Sequence, residues 1–338
     1  MHAAGVRNRS YLIHLGSASA LALLGGCGSS GPTDGKAAMH HVQAICDIGP
    51  RPFGSPELGK AADYICGELT KLGLQPKRQE EMDEQEHKQI RNLYVQIDGP
   101  DPQNGPIVMI GAHYDTKIAQ GQNDPAHNFK FVGAIDGTGA PAVLLELARV
   151  LKTQQERPKV NVWLVWLDAE ESIDWLWNDD RALLGSKAFC KWLAANKLVE
   201  RIKAFVLLDL IGDRNIKIDR DGASSGPLQQ MIEKAAAAMG ESQRVYKYES
   251  TITDDHKIFS NRGIPSVLLI DFEHRVGLAR WKEMAGDRPM PDPEGYAQWW
   301  HTDQDTPDKM SPASLAFAGD LVLQAMTAFE EFALKKRP

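Results

Sequence analysis

The sequence predicts a three-layer α/β fold, with a mainly parallel, mixed central sheet and helices on both faces. Three observations carry that expectation. Residues 160–167 (VNVWLVWL) and 204–210 (AFVLLDL) are almost wholly apolar runs, as strands covered on both faces must be. Stretches with helical spacing of apolar positions alternate with such runs, the pattern of parallel strands joined by crossover helices. Acids and histidines stand at the ends of the runs, where open α/β sheets bind their ligands.

Taken in order, residues 37–48 (AAMHHVQAICDI) space their apolar positions as a helix, which Gly49-Pro50 stops. Ser55-Pro56 opens a second helix that runs to about residue 72, with Gly73 as terminator. Alternating patterns near 75–82 and 90–97 read as two strands, and 99–105 is a turn-rich link. Residues 107–111 form a short apolar strand that leads into His113-Tyr114-Asp115, and 139–151 is an amphipathic helix. Helix 228–239, buried strand 264–270 and helix 311–334 complete the pattern. The polar segment 271–300 reads as a surface excursion near the site rather than a second domain.

A chain of 338 residues suits one large domain or two modest ones. With 43% hydrophobic and 25% charged residues, a sizeable core is available. A net charge of -7 without a long basic run argues against nucleic acid as a partner.

Arg7 and Arg9 precede an apolar stretch, 11–24, that is too short and too rich in Gly and Ser to span a membrane. Leu24-Gly25-Gly26-Cys27 then resembles the lipobox of bacterial lipoproteins. That resemblance implies a signal peptide over 1–26, a lipid anchor on Cys27, a Gly/Ser-rich tether over 27–36 and a catalytic domain over 37–338. The protein would then sit at the cell envelope, facing the periplasm or on the outer membrane. A plain secretory signal is the alternative. Export permits disulfides, so Cys46 and Cys66, on successive helices, either pair or serve as small core residues.

The strand ends supply His113 and Asp115, Asp136 within GAIDGTG, Asp168, Glu170 and Glu171, Asp209, then Asp254-Asp255-His256 and Trp300-His301. Carboxylates and imidazoles bind zinc when cysteines are not offered. One such acid is usually a helix cap, but acids or histidines at five or six strand ends are harder to explain by capping. Of the adjacent pair, one carboxylate can ligate while its neighbour stays free as a base whose pKa is raised.

At these residues the chain resembles the zinc-dependent exopeptidase superfamily, which includes bacterial leucyl aminopeptidases and animal-type glutaminyl-peptide cyclotransferases. The pieces run in order over about 39–332: IGPRPFGSPE, GAHYDT, GAIDGTGAPAVLLELARVL, WLDAEES, LLGSKAF, LLDLIGD, TDDHKIFSNRGIP and WWHTDQDTPDKM. By this resemblance a cyclase would hold one zinc on Asp136, Glu171 and His301. An aminopeptidase would hold two, with His113 and Asp209 completing the second and Asp136 bridging. Glu170 would be the base in either. Four features look more like the cyclase branch: the long segment SIDWLWNDDRALLGS with Trp175 and Trp177, LLDLIGD around Asp209, the Asp254-Asp255-His256 run, and Trp300 directly before His301. Trp175, Trp177 and Trp300 would shape the substrate pocket, and Asp209 and Asp254 would share a hydrogen bond at the leaving amide. The expected activity converts N-terminal glutamine of peptides or proteins to pyroglutamate and ammonia.

The chain also departs from the branch. Leu268 stands where cyclases carry a strand histidine, the 271–300 excursion is longer than in the animal enzymes, and the cysteine pair that flanks their first metal Asp is absent. A two-zinc aminopeptidase therefore remains an alternative. A non-catalytic envelope binding protein is a third, which the intact Glu170 opposes. Asp115 is expected to orient His113, Trp163 and Trp166 to pack in the core, and His40, His41, His127 and His274 to be surface or packing residues.

Overall fold

The computed structural model describes residues 31–121, 124–272 and 299–335. Among the described residues the eight strands are β1 Lys77–Asp83, β2 Lys88–Ile97, β3 Ile107–His113, β4 Asn161–Leu167, β5 Ile202–Asp209, β6 Ile218–Asp221, β7 Val245–Ser250 and β8 Ser266–Ile270. Six make the main sheet, in the order β1-β2-β4-β3-β5-β8. β4, β3, β5 and β8 run parallel, while β2 joins β4 and β1 joins β2 antiparallel. The apolar runs explain this order. Every residue of β3 and β4 is buried, which only strands covered on both faces allow. Pairing of His113 with Leu167 and of Asp209 with Ile270 brings the carboxyl ends of the four parallel strands to one edge.

The helices are α1 Gly35–Ile48, α2 Pro56–Lys71, α3 Ala140–Thr153, α4 Leu184–Ala195, α5 Gly226–Ala238, α6 Asp255–Ser260 and α7 Pro312–Leu334. α1, α3 and α7 pack on one another, with α3 and α7 against β3. α4 and α6 pack together, α4 on β1 and β2 and α6 on β5 and β8. Ser55 accepts from the Leu58 N–H at the start of α2, where Pro56 needs no donor partner. Ser311 caps α7 in the same way through the Ala313 N–H.

The five helices and six strands read from the sequence are all present. β6 and β7, a two-stranded parallel sheet, were not legible. They are short and carry Asp219, Arg220, Asp221, Lys247 and Glu249, so neither shows the apolar signal of a buried strand. Of residues 31–36, read as tether, most are exposed, but Thr33 is buried and Gly35 already opens α1. Asp34 caps α1, and Gly319 leaves Thr33 the space a Cβ would take. Cys46 and Cys66 are both free thiols, so the packing alternative applies. The Leu24–Cys27 motif, His274 and most of the 271–300 excursion lie outside the described residues.

Candidate metal centre and cleft

The chain leaves β4 and β5 by unusual turns, and a third such turn stands at His301. Ala169, Leu210 and His301 all have φ near +50°, a region that non-glycine residues seldom enter. Each such residue costs on the order of 1–3 kcal/mol. They directly precede Glu170, follow Asp209, and form a candidate ligand, so the strain lies at the site. Asp136 interrupts the helical turn ahead of α3 with extended φ and ψ, and Gly137 follows at φ +89°. A Cβ on Gly137 would lie 2.1 Å from the Asp115 carbonyl oxygen, so the turn requires glycine.

These turns converge five donors. His113 Nε2 lies 3.0 Å from Asp209 Oδ1 and 3.3 Å from Asp136 Oδ1. His301 Nε2 lies 3.1 Å from Glu171 Oε1 and 3.4 Å from Asp136 Oδ2. The groups His113–Asp136–Asp209 and Asp136–Glu171–His301 each keep their donor atoms within 4.8 Å of one another. Asp136 thus serves both, one oxygen to each. Its Oδ2 is buried, makes no hydrogen bond and has the His301 ring 3.4 Å away as a charge partner, surroundings in which a bound cation would be favoured. The donors are nitrogen and oxygen without thiolate, a set that suits zinc.

The electrostatics agree with a cation-seeking site. Burial lowers the pKa of His301, but Glu171 and Asp136 outweigh it and raise the group to about 9. Burial likewise opposes His113, yet Asp209, Asp115 and Asp136 hold it well above the usual imidazole range. Burial would raise Asp136, and the two imidazoles pull it below the usual carboxylate range instead.

A further layer fixes these groups. Asp115 accepts from the Glu170 N–H at 3.1 Å through Oδ1 and from the Glu171 N–H at 3.2 Å through Oδ2. The same Oδ1 is 3.4 Å from His113 Nδ1, so Asp115 holds the backbone of Glu170 and Glu171 as well as the histidine. Asp305 accepts from the N–H groups of Ile135 and Asp136. Arg51, fully buried, donates to the carbonyls of Gly49, Tyr114, Val132 and Gly137 and to Thr138 Oγ1. Sequence reasoning missed Asp305 and Arg51. The available signal was a charge inside IGPRP and an acid four residues after His301.

The cleft beside these donors has a volume of about 290 Å³. Glu170, Asp209 and Asp254 face it, with Trp177, Ile252, Phe272 and Trp300 as an apolar wall. Neither metal grouping takes in Glu170. Burial raises its carboxyl well above the usual range; Asp254 and Glu171 add to this, and His113 opposes it. Asp254 is likewise raised, by burial and by the charges of Asp209 and Asp255. No direct hydrogen bond joins Asp209 to Asp254: Asp209 Oδ1 is taken by His113 and the Leu210 N–H, and Asp254 Oδ2 has no hydrogen-bond partner.

The tryptophans divide. Trp300 stacks on His301 with ring centres 4.3 Å apart, and Phe272 meets Trp300 edge-on at 5.0 Å. Trp177 lines the cleft, is 43% exposed and donates to Asp179 Oδ1. Trp175 is not among the lining residues. It stacks on His127 at 3.9 Å and stands 5.9 Å from the His301 ring. Trp163 and Trp166 pack in the core, donating to Gln96 Oε1 and the Pro141 carbonyl.

Comparison with known proteins places these features. A model of peptidase family M28 matches residues 92–326, a stretch that holds all five donors, Glu170 and Asp254. A glutaminyl-peptide cyclotransferase of Dictyostelium discoideum is 25% identical over 189 residues, 49% of this chain and 50% of that protein. The chain therefore spans about half the length of that relative. The glutaminyl cyclase of an Acidobacteriales bacterium superposes with a TM-score of 0.74 at 28% identity, covering 92% of this chain and 99% of that one. A Zn-dependent exopeptidase from Parabacteroides distasonis gives 0.70 at 23% identity, covering 91% and 100%, a likeness of fold.

Proposed function

This chain belongs to peptidase family M28, and from that premise we propose that it is a zinc-dependent glutaminyl-peptide cyclotransferase acting on peptide or protein N-termini. The observation that carries the reading is the cleft. Two buried carboxyls with raised pKa, Glu170 and Asp254, stand under a wall of indoles, next to three donors close enough together to hold one metal. Likeness to a solved glutaminyl cyclase at 28% identity supports it.

Asp136, Glu171 and His301 would hold the zinc, whose chemistry there is Lewis acidity toward the γ-carboxamide oxygen of the substrate glutamine. The residues of the chain do the rest. Trp177 and Trp300 exclude water and flank the glutamine side chain. Glu170 removes a proton from the attacking α-amine and returns it to the departing ammonia, two transfers in sequence at one carbon. Asp254, carrying a proton, donates a hydrogen bond to the leaving amide nitrogen. The products are an N-terminal pyroglutamyl peptide and ammonia.

A second reading, a two-zinc aminopeptidase, is favoured by the His113–Asp136–Asp209 group, whose donors are as close as those of the first. Metal analysis and two assays separate the readings. One zinc per chain with ammonia released from a Gln-initiated dipeptide supports the cyclase. Two zinc ions with release of p-nitroaniline from Leu-p-nitroanilide would overturn it. Glu170→Gln should keep the zinc and lose turnover by about 100-fold or more.

The same proposal places the protein at the cell envelope through a lipid on Cys27, supported by the Leu24-Gly25-Gly26-Cys27 pattern. Cys27→Ser should release it from the membrane fraction. Retention in that fraction would refute the anchor.

A further inference from the structure

His113, Asp115 and Lys117 stand at alternate positions at the end of β3 and in the loop after it. Tyr114 and Thr116, between them, have other partners. Tyr114 donates to the Arg91 carbonyl, and Thr116 Oγ1 accepts from the Arg51 N–H. His113 is a candidate ligand and Asp115 holds the backbone of Glu170 and Glu171. Lys117, which the proposed mechanism does not use, is the third member of this row, and its side chain is 2% exposed.

Its ammonium has three N–H donors, and three acceptors surround it. Nζ donates to the Ser172 carbonyl at 2.6 Å and the Asp174 carbonyl at 2.8 Å. The Glu171 Oε2 atom lies 3.6 Å away, at ion-pair distance. All three acceptors belong to the four residues that follow the base Glu170. Glu171 is thereby divided: Oε1 faces His301 Nε2, and Oε2 faces Lys117. The segment is held from its far side as well, where Arg181 bridges Asp174 and Glu86.

We propose that Lys117 is a positioning residue of the metal site, fixing the Glu171 carboxylate with one oxygen turned to the metal and pinning the backbone that leads to Trp175 and Trp177. Two physical effects follow. A buried cation beside Glu171 offsets the repulsion between Glu171 and Glu170, which would otherwise turn the adjacent carboxylates apart. Two backbone carbonyls of the segment that leads to the tryptophans are satisfied by a side chain from the loop after β3, so the pocket wall and the ligand move as one unit. Partners of this kind typically change metal affinity or activity by about 10–100-fold when removed.

The inference rests on Glu171 being a metal ligand, as proposed above, and the experiment tests the two separately. Zinc affinity is measured by chelator competition for the wild type, Lys117→Met and Glu171→Ala, on protein whose circular dichroism shows it folded. Lys117→Met should bind zinc about 10–100-fold more weakly, and with zinc saturating should raise KM for a Gln-initiated peptide as the tryptophan segment loosens. Glu171→Ala should bind no zinc at that site. Wild-type protein that binds no zinc would defeat the metal reading itself. Wild-type binding together with a folded Lys117→Met whose zinc affinity is within twofold would overturn the role of Lys117 alone. If Lys117→Met does not fold, Lys117→Gln, which keeps a donor for the carbonyls but no charge, answers the same question by the same criterion.

Discussion

Replacing Asp115 by Asn keeps the shape of the side chain and changes what it can accept. In the native site one carboxylate oxygen takes the Glu170 N–H and the other the Glu171 N–H, both in a fully buried position. An amide has one acceptor oxygen, so its NH₂ must face one of those N–H groups. The loss is one bond to a charged group, about 1.5–3 kcal/mol, plus one buried N–H left unpaired, about 1–3 kcal/mol. Part of this returns, because the Asp115 charge also repels Asp168 and Asp255. A net destabilisation of about 3 kcal/mol remains, which for a chain of this size lowers Tm by about 4 °C. The same change loosens His113, Glu170 and Glu171 together, so zinc affinity should fall by about 10-fold or more. Calorimetry on the metal-free protein and chelator competition measure the two effects. A Tm within 2 °C of wild type with zinc affinity within twofold would refute the assignment of Asp115 as the organiser of this segment.

Gly137→Ala should abolish metal binding in any folded fraction, because a left-handed φ costs about 1–2 kcal/mol and its Cβ would meet the Asp115 carbonyl oxygen at 2.1 Å; normal zinc content would contradict this. Trp300→Ala removes the ring stacked on His301 and a wall of the cleft, so KM should rise by about 10-fold with zinc content unchanged, and an unaltered KM would remove Trp300 from the pocket. Burial pushes the Cys46 thiol up to about 11 and the Cys190 thiol up to about 12. A thiol reagent at pH 8 should therefore leave both unmodified in native protein and reach them on unfolding, since the thiolate is the reactive form; rapid native labelling of either, shown by peptide mapping, would refute this packing.

Much of the architecture was legible because burial on both faces leaves a compositional trace. β4 reads as strand from VNVWLVWL alone, and the capped starts of α2 and α7 read from Ser-Pro. β6 and β7 left no such trace, since their charged residues are held by local pairs such as Asp221 with His256 rather than by the main core. In the site, residue type carried the signal. Asp136, Glu171 and His301 were recognisable as oxygen and nitrogen donors at strand ends, and they do converge. Trp175 and Trp177 could not be told apart, because a two-residue offset in an irregular loop carries no periodic information about direction. The structure turns Trp177 to the cleft and Trp175 onto His127.

The sequence by itself determined the layers, the strand ends and the chemical class of the donors, because these depend on local hydrophobic period and residue type. Only the tertiary structure decided which oxygen meets which nitrogen. That Asp136 turns one oxygen to each histidine follows from where β3, β4 and β5 stop. That Arg51, Lys117 and Asp305 hold the donors from behind follows from the turns around them. Hydrogen bonds and charge pairs of this kind act over about 3–4 Å between residues far apart along the chain. No pattern of neighbours in sequence can encode such a distance.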